Sequence, residues 1–431
     1  MELQDRTLRR RSVVLSASFV LSGLLAYVLM AVAKRSMSPI GFSNFAVYWS
    51  FGYFLAATVG APIEQELTRT VSFREAKRQS FDDDLQTAVK LAALLVGAVV
   101  VVGVAVAASG ELGGLHADVF TCVVMILFIG GEVAGTVVRG VLAGTRSTMA
   151  LAGLVAGQSV LRTGLVIIAV GVSARDELVW LAVSVAALTC VAFIPRALAT
   201  RTPGRGAPDG PGLARGGIMR LVAAAPFSAV FSVGTPALAS LVATPGDRPI
   251  IGDLMAALSL TSAPVLVAAA LQSALMPSLV RSLVEGGPDV LHRTTRVIIM
   301  VVIGLSGFAA AGSAVFGLTF LRLLFGPTPG VGRVALVAMT FASGLLFLGN
   351  LLAPVCIALR SHGAVTRAWA AGAATMVGIV FLPGPIAQRV AGALLGGAFM
   401  VSASLVVSLR AAWRRPSGMG HAALGHSSFD D

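Results

Sequence analysis

The chain has 431 residues, of which 56% are hydrophobic and only 12% are charged, and its mean hydropathy is +0.88. A soluble domain carries about 25% charged residues, so a chain this poor in charge cannot cover a water-facing surface. The formal net charge of +12 would suggest a nucleic-acid partner in a soluble protein, but here the basic residues fall mostly in short gaps between apolar runs. The composition therefore predicts an all-α, polytopic membrane protein that binds membrane lipids and no nucleic acid.

Twelve apolar runs are long enough to cross a membrane as helices, for which about 20 residues suffice. The first run follows a polar, basic N-terminus and is too long for the core of a cleavable signal peptide, so we expect it to remain as a span. The predicted spans are 13–33, 40–62, 86–108, 119–138, 148–172, 178–195, 219–242, 250–279, 297–318, 334–359, 365–382 and 386–409.

The basic residues predict the orientation of these spans. If the N-terminus is cytoplasmic, 23 of the 32 Lys and Arg residues fall in inner segments and seven in outer ones, with Lys90 and Arg162 inside spans. That distribution agrees with the positive-inside rule, and the adjacent Lys34 and Arg35 are its main exception. We therefore predict a multi-pass protein of the bacterial plasma (inner) membrane with both termini cytoplasmic.

A Pro-, Gly- and Arg-rich segment divides the spans into two sets of six, and its composition is typical of a flexible linker. Such halving is common in transporters that arose by duplication. Prolines in the second set would permit helix bending; they are Pro226, Pro236, Pro264, Pro277 and Pro354. The predicted divisions are an N-terminal six-helix lobe at 1–195, a cytoplasmic linker at 196–217, a C-terminal six-helix lobe at 218–410 and a cytoplasmic tail at 411–431.

The sequence contains no catalytic or metal-binding motif. It has no glycine-rich phosphate loop ending in Gly-Lys-Ser or Gly-Lys-Thr, no H-E-x-x-H and no G-x-S-x-G turn. Its only carboxylate cluster, Asp82 to Asp84, could hold a metal–nucleotide complex in a membrane glycosyltransferase, or could simply begin the third helix, where acids are favoured. We predict that the protein is not an enzyme and uses no cofactor or metal.

Ionisable residues inside membrane spans are costly, which makes them candidates for function. Arg162 lies near the middle of the fifth span, one turn after Gln158 on the same face, and Glu132 lies within the fourth span. Arg162 and Glu132 could form an ion pair that only holds the bundle together, or could line a polar cavity and meet an anionic substrate. We interpret Asp253 as lying in the outer headgroup zone and Lys90 as reaching the interface.

Aromatic and polar residues cluster in the first two spans. Tyr and Trp combine apolar ring faces with a polar group, which suits sugar rings or a lipid headgroup, although ordinary helix packing would also use them. The candidates for lining a cavity are Tyr27, Asn44, Tyr48, Trp49 and Tyr53. Tryptophans at span ends are interpreted as an interfacial belt; these are Trp180, Trp369 and Trp413.

Three segments carry a resemblance to a known family. The run M-S-P-I-G-F-S-N-F-A at 37–46 resembles the L-x-P-x-x-(F/Y)-G-x-(F/Y) element between the first two helices of polysaccharide flippases. The polar helix end P-I-E-Q-E-L-T-R at 62–69 and the short basic turns at 139–149 and 360–365 are similar to that family as well. These flippases belong to the multidrug/oligosaccharidyl-lipid/polysaccharide (MOP) exporter superfamily, which also contains the MATE transporters.

The resemblance implies two six-helix lobes around a V-shaped cavity that moves a lipid-linked oligosaccharide from the inner to the outer leaflet. It implies that Arg162 meets the diphosphate of that substrate and that the aromatic group contacts its sugars, with glycan-assembly enzymes as candidate partners. No charged residue lies between Arg220 and Asp247, however, where relatives often carry one. The alternatives are a cation-coupled drug antiporter of the same fold, for which only Glu132 could be the exchangeable acid, and the membrane glycosyltransferase.

Overall fold

A computed structural model gives the fold, and it describes residues 2–108, 119–173, 175–200, 215–262, 292–358 and 362–413. The helices of the N-terminal half are α1 (Glu2–Ser36), α2 (Pro39–Ala76), α3 (Asp82–Ala108), α4 (Val119–Gly144), α5 (Thr148–Val172) and α6 (Asp176–Ala199). Helix α7 consists of Arg215–Ala229, a π-helical turn at Val230–Gly234, and Thr235–Val242. The remaining helices are α8 (Arg248–Thr261), α9 (His292–Phe325), α10 (Arg333–Ala358), α11 (His362–Val380) and α12 (Ile386–Trp413).

Eleven helices in these ranges are long and apolar enough to cross a membrane. The described part of α8 has 14 residues, and the rest of the eighth predicted span lies outside the described residues, as do 201–214 of the linker and the tail from 414. The prediction of an all-α polytopic membrane protein with about twelve helices is confirmed. The division at 196–217 stays a prediction.

Helix α2 is longer than the sequence predicted, because it continues to Ala76 rather than ending at 62. Buried apolar residues such as Leu67 and Val71 and several polar contacts hold this extension against the bundle. Arg139 Nε donates to Glu64 at 3.1 Å, and the buried Arg74 donates to Asp84 at 3.0 Å. Asp84, from the carboxylate cluster at the start of α3, therefore pairs with a structural arginine.

Helices α2 and α4 pack more extensively than any other pair among the described elements. Small residues allow the close approach, as they do at many helix interfaces in membranes. A Cβ atom added at Gly52 would lie 2.3 Å from the ring of Phe128, and one added at Gly60 would lie 2.6 Å from Thr136. These glycines set the distance between the two helices.

A Gly52→Ala variant is expected to be less stable than the natural chain by about 1–3 kcal/mol, because the added methyl group overpacks the α2–α4 interface. Gly157→Ala is the matched control, since nothing lies within 4 Å of a Cβ atom at that position. Thermal unfolding in detergent, followed by size-exclusion chromatography, measures both. Equal midpoints for the two variants would contradict the prediction.

Candidate functional site

A cavity of about 320 Å³ lies between the N-terminal six helices and the C-terminal six. Its wall takes residues from α1 and α2 on one side and from α7, α8, α10, α11 and α12 on the other. The site is therefore shared by the two halves of the chain, and any movement of one half against the other changes its shape.

The wall is mainly apolar and aromatic, with several hydroxyl groups, and none of its described lining residues is charged. Flat ring faces together with hydroxyl and amide groups suit an uncharged ligand, or the uncharged part of a larger ligand, that has both apolar faces and hydrogen-bonding groups. The rings belong to Tyr27, Trp49, Tyr53, Phe231 and Trp369, and the smaller polar groups to Ser232, Thr235, Ser259, Ser262, Ser343 and Asn350.

A buried polar network lies directly behind Tyr53. The Glu132 carboxylate of α4 forms an ion pair with the Arg162 guanidinium of α5 and accepts a hydrogen bond from Gln158 Nε2 at 2.9 Å. The Tyr53 hydroxyl accepts a hydrogen bond from Arg162 and lies 3.5 Å from Glu132 Oε1. Glu132 and Arg162 are 6% and 8% exposed, so the acid and the base neutralise each other inside the N-terminal half.

The same guanidinium stacks against two aromatic side chains of the cavity wall. Its central carbon lies 5.7 Å from the Trp49 ring centroid and 5.5 Å from that of Tyr53, within the range of cation–π attraction. The two rings lie 4.7 Å apart. Arg162 thus supports the wall from behind and is not itself one of its lining residues.

Six of the eight predicted site residues form one connected group. Tyr27, Trp49 and Tyr53 line the cavity, and Glu132, Gln158 and Arg162 lie behind Tyr53. Contact of this group with a substrate stays a prediction.

The structure corrects the assignment of Tyr48 and Asn44 to the cavity. Tyr48 is fully buried, with its ring stacked on Trp180 at 5.1 Å and its hydroxyl hydrogen-bonded to Ser184 at 2.6 Å. Asn44 is half-buried and does not line the cavity. The aromatic stripe of α2 therefore divides into a packed face and a cavity face.

Two of the tryptophans interpreted as an interfacial belt are interior residues, so that interpretation was wrong for both. Trp180 is buried against Tyr48, and Trp369 lines the cavity, where it packs edge-on against Phe231 at 5.8 Å. Helix α11 begins at His362, three residues earlier than predicted, so Trp369 lies farther from the start of its helix than the predicted span placed it. The side chain of Trp413 lies outside the described residues.

Buried charges join the two halves at the end of the bundle where α1 ends and α2 begins, which is the outer end in the predicted orientation. Lys34 Nζ donates to Asp253 Oδ1 at 2.7 Å, and both side chains are 6% exposed. Asp253 also accepts the Gly330 N–H at 2.8 Å, and Arg35 donates to the Leu324 carbonyl at 2.9 Å. Asp253 is thus a buried ion-pair partner of Lys34, and these contacts account for the two adjacent basic residues at the end of α1.

Sequence relatives cover nearly the whole chain. No family model matches it. The "Uncharacterized protein Rv1510" of Mycobacterium tuberculosis (strain ATCC 25618 / H37Rv) is 25% identical over 410 residues, which cover 93% of this chain and 91% of that protein. The "Uncharacterized protein Mb3654" of Mycobacterium bovis is 28% identical over 398 residues, with coverages of 87% and 86%.

Solved structures share the arrangement of the helices. An inward-facing multidrug resistance MATE family transporter of the MOP superfamily matches with a TM-score of 0.64 and 13% identity, covering 94% of this chain and 98% of that one. A MOP superfamily transporter from Pyrococcus furiosus matches with a TM-score of 0.62 and 12% identity, covering 94% and 95%. At such identities the likeness concerns the fold. The chain therefore has the fold of the MATE transporters of the MOP superfamily.

Proposed function

We propose that this chain is a membrane transporter that moves a lipid-linked oligosaccharide, or a related glycolipid, from the inner to the outer leaflet for assembly of a cell-surface polysaccharide. The cavity between the two halves carries the proposal, because its aromatic and hydroxyl groups suit sugar rings and no described lining residue is charged. The fold supports transport, since inward- and outward-facing forms of a multidrug resistance transporter both match it.

Each group of the site has a role in this proposal. Trp49, Tyr53 and Trp369 stack on sugar rings, and Tyr27 and Asn350 supply hydrogen bonds. The ion pair behind Tyr53 keeps that ring and Trp49 in position. Enzymes that assemble the glycan on its lipid at the inner leaflet would supply the substrate.

The charges around the cavity favour a saccharide over a cationic drug. An antiporter for cationic drugs needs a carboxylate that offers net negative charge to its substrate. Glu132 is the acid that lies beside the described wall, and Arg162 neutralises it. The carboxylate cluster proposed for a glycosyltransferase is likewise engaged, since Asp84 pairs with Arg74 and Asp82 accepts a hydrogen bond from Ser80 at 2.8 Å.

Proteoliposomes that contain the full chain and a polyprenyl-diphosphate-linked oligosaccharide test the proposal. Transport is followed as the fraction of saccharide that becomes protected from a glycosidase added outside. Trp369→Ala is expected to lower the initial rate by up to tenfold, the equivalent of about 1.4 kcal/mol of lost ring stacking, whereas Trp369→Phe keeps a ring and most of the rate.

Phe399→Ala is the matched control, because that ring is 62% exposed on the outside of the bundle, and its rate should equal that of the natural chain. Saccharide transport no faster than in protein-free vesicles would refute the proposal. Transport of a lipophilic dye cation without transport of the saccharide would instead establish the drug antiporter.

A further inference from the structure

Helix α7 is interrupted where it forms part of the cavity wall. Its π-helical turn covers Val230–Gly234, and Phe231, Ser232 and Val233 from this turn line the cavity. Pro236 follows two residues later and has no N–H to donate. Single π turns inside helices are frequently found at functional sites.

A side chain from the other half of the protein occupies the interruption. The Ser50 hydroxyl of α2 accepts the Ala237 N–H at 3.0 Å and donates to the Val233 carbonyl at 2.5 Å. In an uninterrupted α-helix this N–H and this carbonyl would bond each other, since they are four residues apart. Ser50 is fully buried, so its hydroxyl takes the place that an intrahelical bond would fill.

Helix α2 makes a second bridge of the same kind two turns nearer the outer end. The Ser43 hydroxyl donates to the Pro249 carbonyl at 3.1 Å and accepts the Gly252 N–H at 2.9 Å, at the start of α8. The backbones are close there, because a Cβ atom on Gly252 would lie 2.8 Å from Phe42. With the Lys34–Asp253 pair, these bridges hold the outer halves of the two lobes together.

We propose that Ser50 is a positioning residue for transport. While the outer ends are together, its hydroxyl keeps the Ala237 N–H and the Val233 carbonyl of α7 from bonding each other, and it frees both groups when the ends separate. The inference rests on the proposed function in one respect, since transport requires the outer ends to separate. On separation the Ala237 N–H and the Val233 carbonyl bond each other, and the Ser50 hydroxyl bonds a carbonyl one turn back in its own helix.

The Ser50 hydroxyl, the Ala237 N–H and the Val233 carbonyl thus have a hydrogen-bond partner in both states, which keeps the cost of switching low. Closing the α7 backbone bond straightens the helix and shifts Phe231 and Ser232 relative to the rest of the wall. Separation of the outer ends and the shape of the cavity are thereby coupled through one hydroxyl group.

Distances between spin-label pairs in the full chain test the inference, in lipid nanodiscs without substrate and with the natural cysteines replaced. Labels at Met219 and Leu241, which are 47% and 60% exposed, report the bend of α7; a straight helix places their Cα atoms about 33 Å apart. Labels at Ile40 and Val334, which are 57% and 77% exposed, report the outer ends.

In the natural chain, the fraction of molecules with a straight α7 should equal the fraction with separated outer ends. Ser50→Ala is expected to give the straight α7 distance whether or not the ends are separated, while Ser50→Thr keeps the hydroxyl and the natural distribution. Ser43→Ala is the matched control, because it removes an interlobe bridge away from α7; it should raise both populations together.

The inference would be overturned if the Met219–Leu241 distance distribution in Ser50→Ala equalled that of the natural chain. It would also be overturned if, in Ser50→Ala, the fraction of straight α7 rose only together with the fraction of separated outer ends, as expected for Ser43→Ala. Because no substrate is present, these results are independent of the saccharide assay. Failure of saccharide transport with an intact α7 response would remove the substrate assignment only.

Discussion

A Lys34→Met variant is expected to shift the molecule strongly toward conformations with separated outer ends. The variant leaves the Asp253 carboxylate buried without its counter-charge while the ends are together, and breaking a buried pair from one side costs about 3–5 kcal/mol. Separation restores water to Asp253, so the penalty falls on the closed form alone. A shift of this size corresponds to a factor of at least about a hundred in the equilibrium.

Reactivity of a thiol in the cavity measures this shift. A Ser343→Cys background places the thiol in the wall, and a membrane-impermeant maleimide is added from the outer side of right-side-out vesicles. Labelling should become roughly a hundred times faster in Lys34→Met, in proportion to the equilibrium shift. Labelling from the inner side should become slower.

Two further variants separate the ion pair from general damage to the outer end. Arg35→Met removes an exposed contact to the end of α9 and should change labelling little, because exposed charges contribute about 0–1 kcal/mol. Lys34→Asp combined with Asp253→Lys restores opposite charges and should return labelling toward the natural rate. An unchanged rate in Lys34→Met, or a double variant as reactive as the single ones, would show that the pair does not hold the ends together.

Apolar length predicted the helices well, but it missed where several of them end. A hydropathy window detects the part of a helix that lies in lipid, whereas the extension of α2 to Ala76 mixes buried apolar residues such as Leu67 with charged ones such as Arg74, which pairs with Asp84. The same limitation placed Trp369 near the start of its helix. Boundaries set by polar contacts between distant segments are not visible in a local apolar pattern.

The sequence also cannot tell which face of an apolar helix meets lipid, protein or a cavity. Tyr48 and Trp49 are adjacent on α2, yet one is packed between rings and the other lines the cavity. In a helix that is apolar on all sides, periodicity carries little information about this choice. Polar exceptions carry more, which is why Glu132, Gln158 and Arg162 could be singled out.

The ion pair between the two halves could not be predicted from the sequence, for a different reason. Lys34 and Asp253 are 219 positions apart, and nothing local to either residue identifies the other. The unusual pair of basic residues on the predicted outer side was the available signal, because an exception to the positive-inside rule needs a local cause. A search for acids at the same end of the predicted spans would have included Asp253 among several candidates.

An Arg162→Met variant is expected to be less stable than the natural chain by about 3–5 kcal/mol, because it strands the Glu132 carboxylate among buried groups. Glu132→Gln alone should be destabilising as well, since it leaves the guanidinium without its counter-charge. Combining the two substitutions removes both charges, and the amide at position 132 can still bond Gln158 and Tyr53. The double variant should therefore recover most of the lost stability.

Thermal unfolding of the natural chain, the two single variants and the double variant gives the coupling energy of the ion pair. Saccharide transport by the double variant shows whether the ion pair acts only by positioning the rings. If the ion pair only positions Tyr53 and Trp49, transport should return together with stability, because Tyr53 keeps a hydrogen-bonding partner. A double variant that is as stable as the natural chain yet inactive would instead mean that Arg162 itself reaches the substrate. The guanidinium would then have to leave Glu132 during transport, since in the present arrangement the two neutralise each other behind the cavity wall.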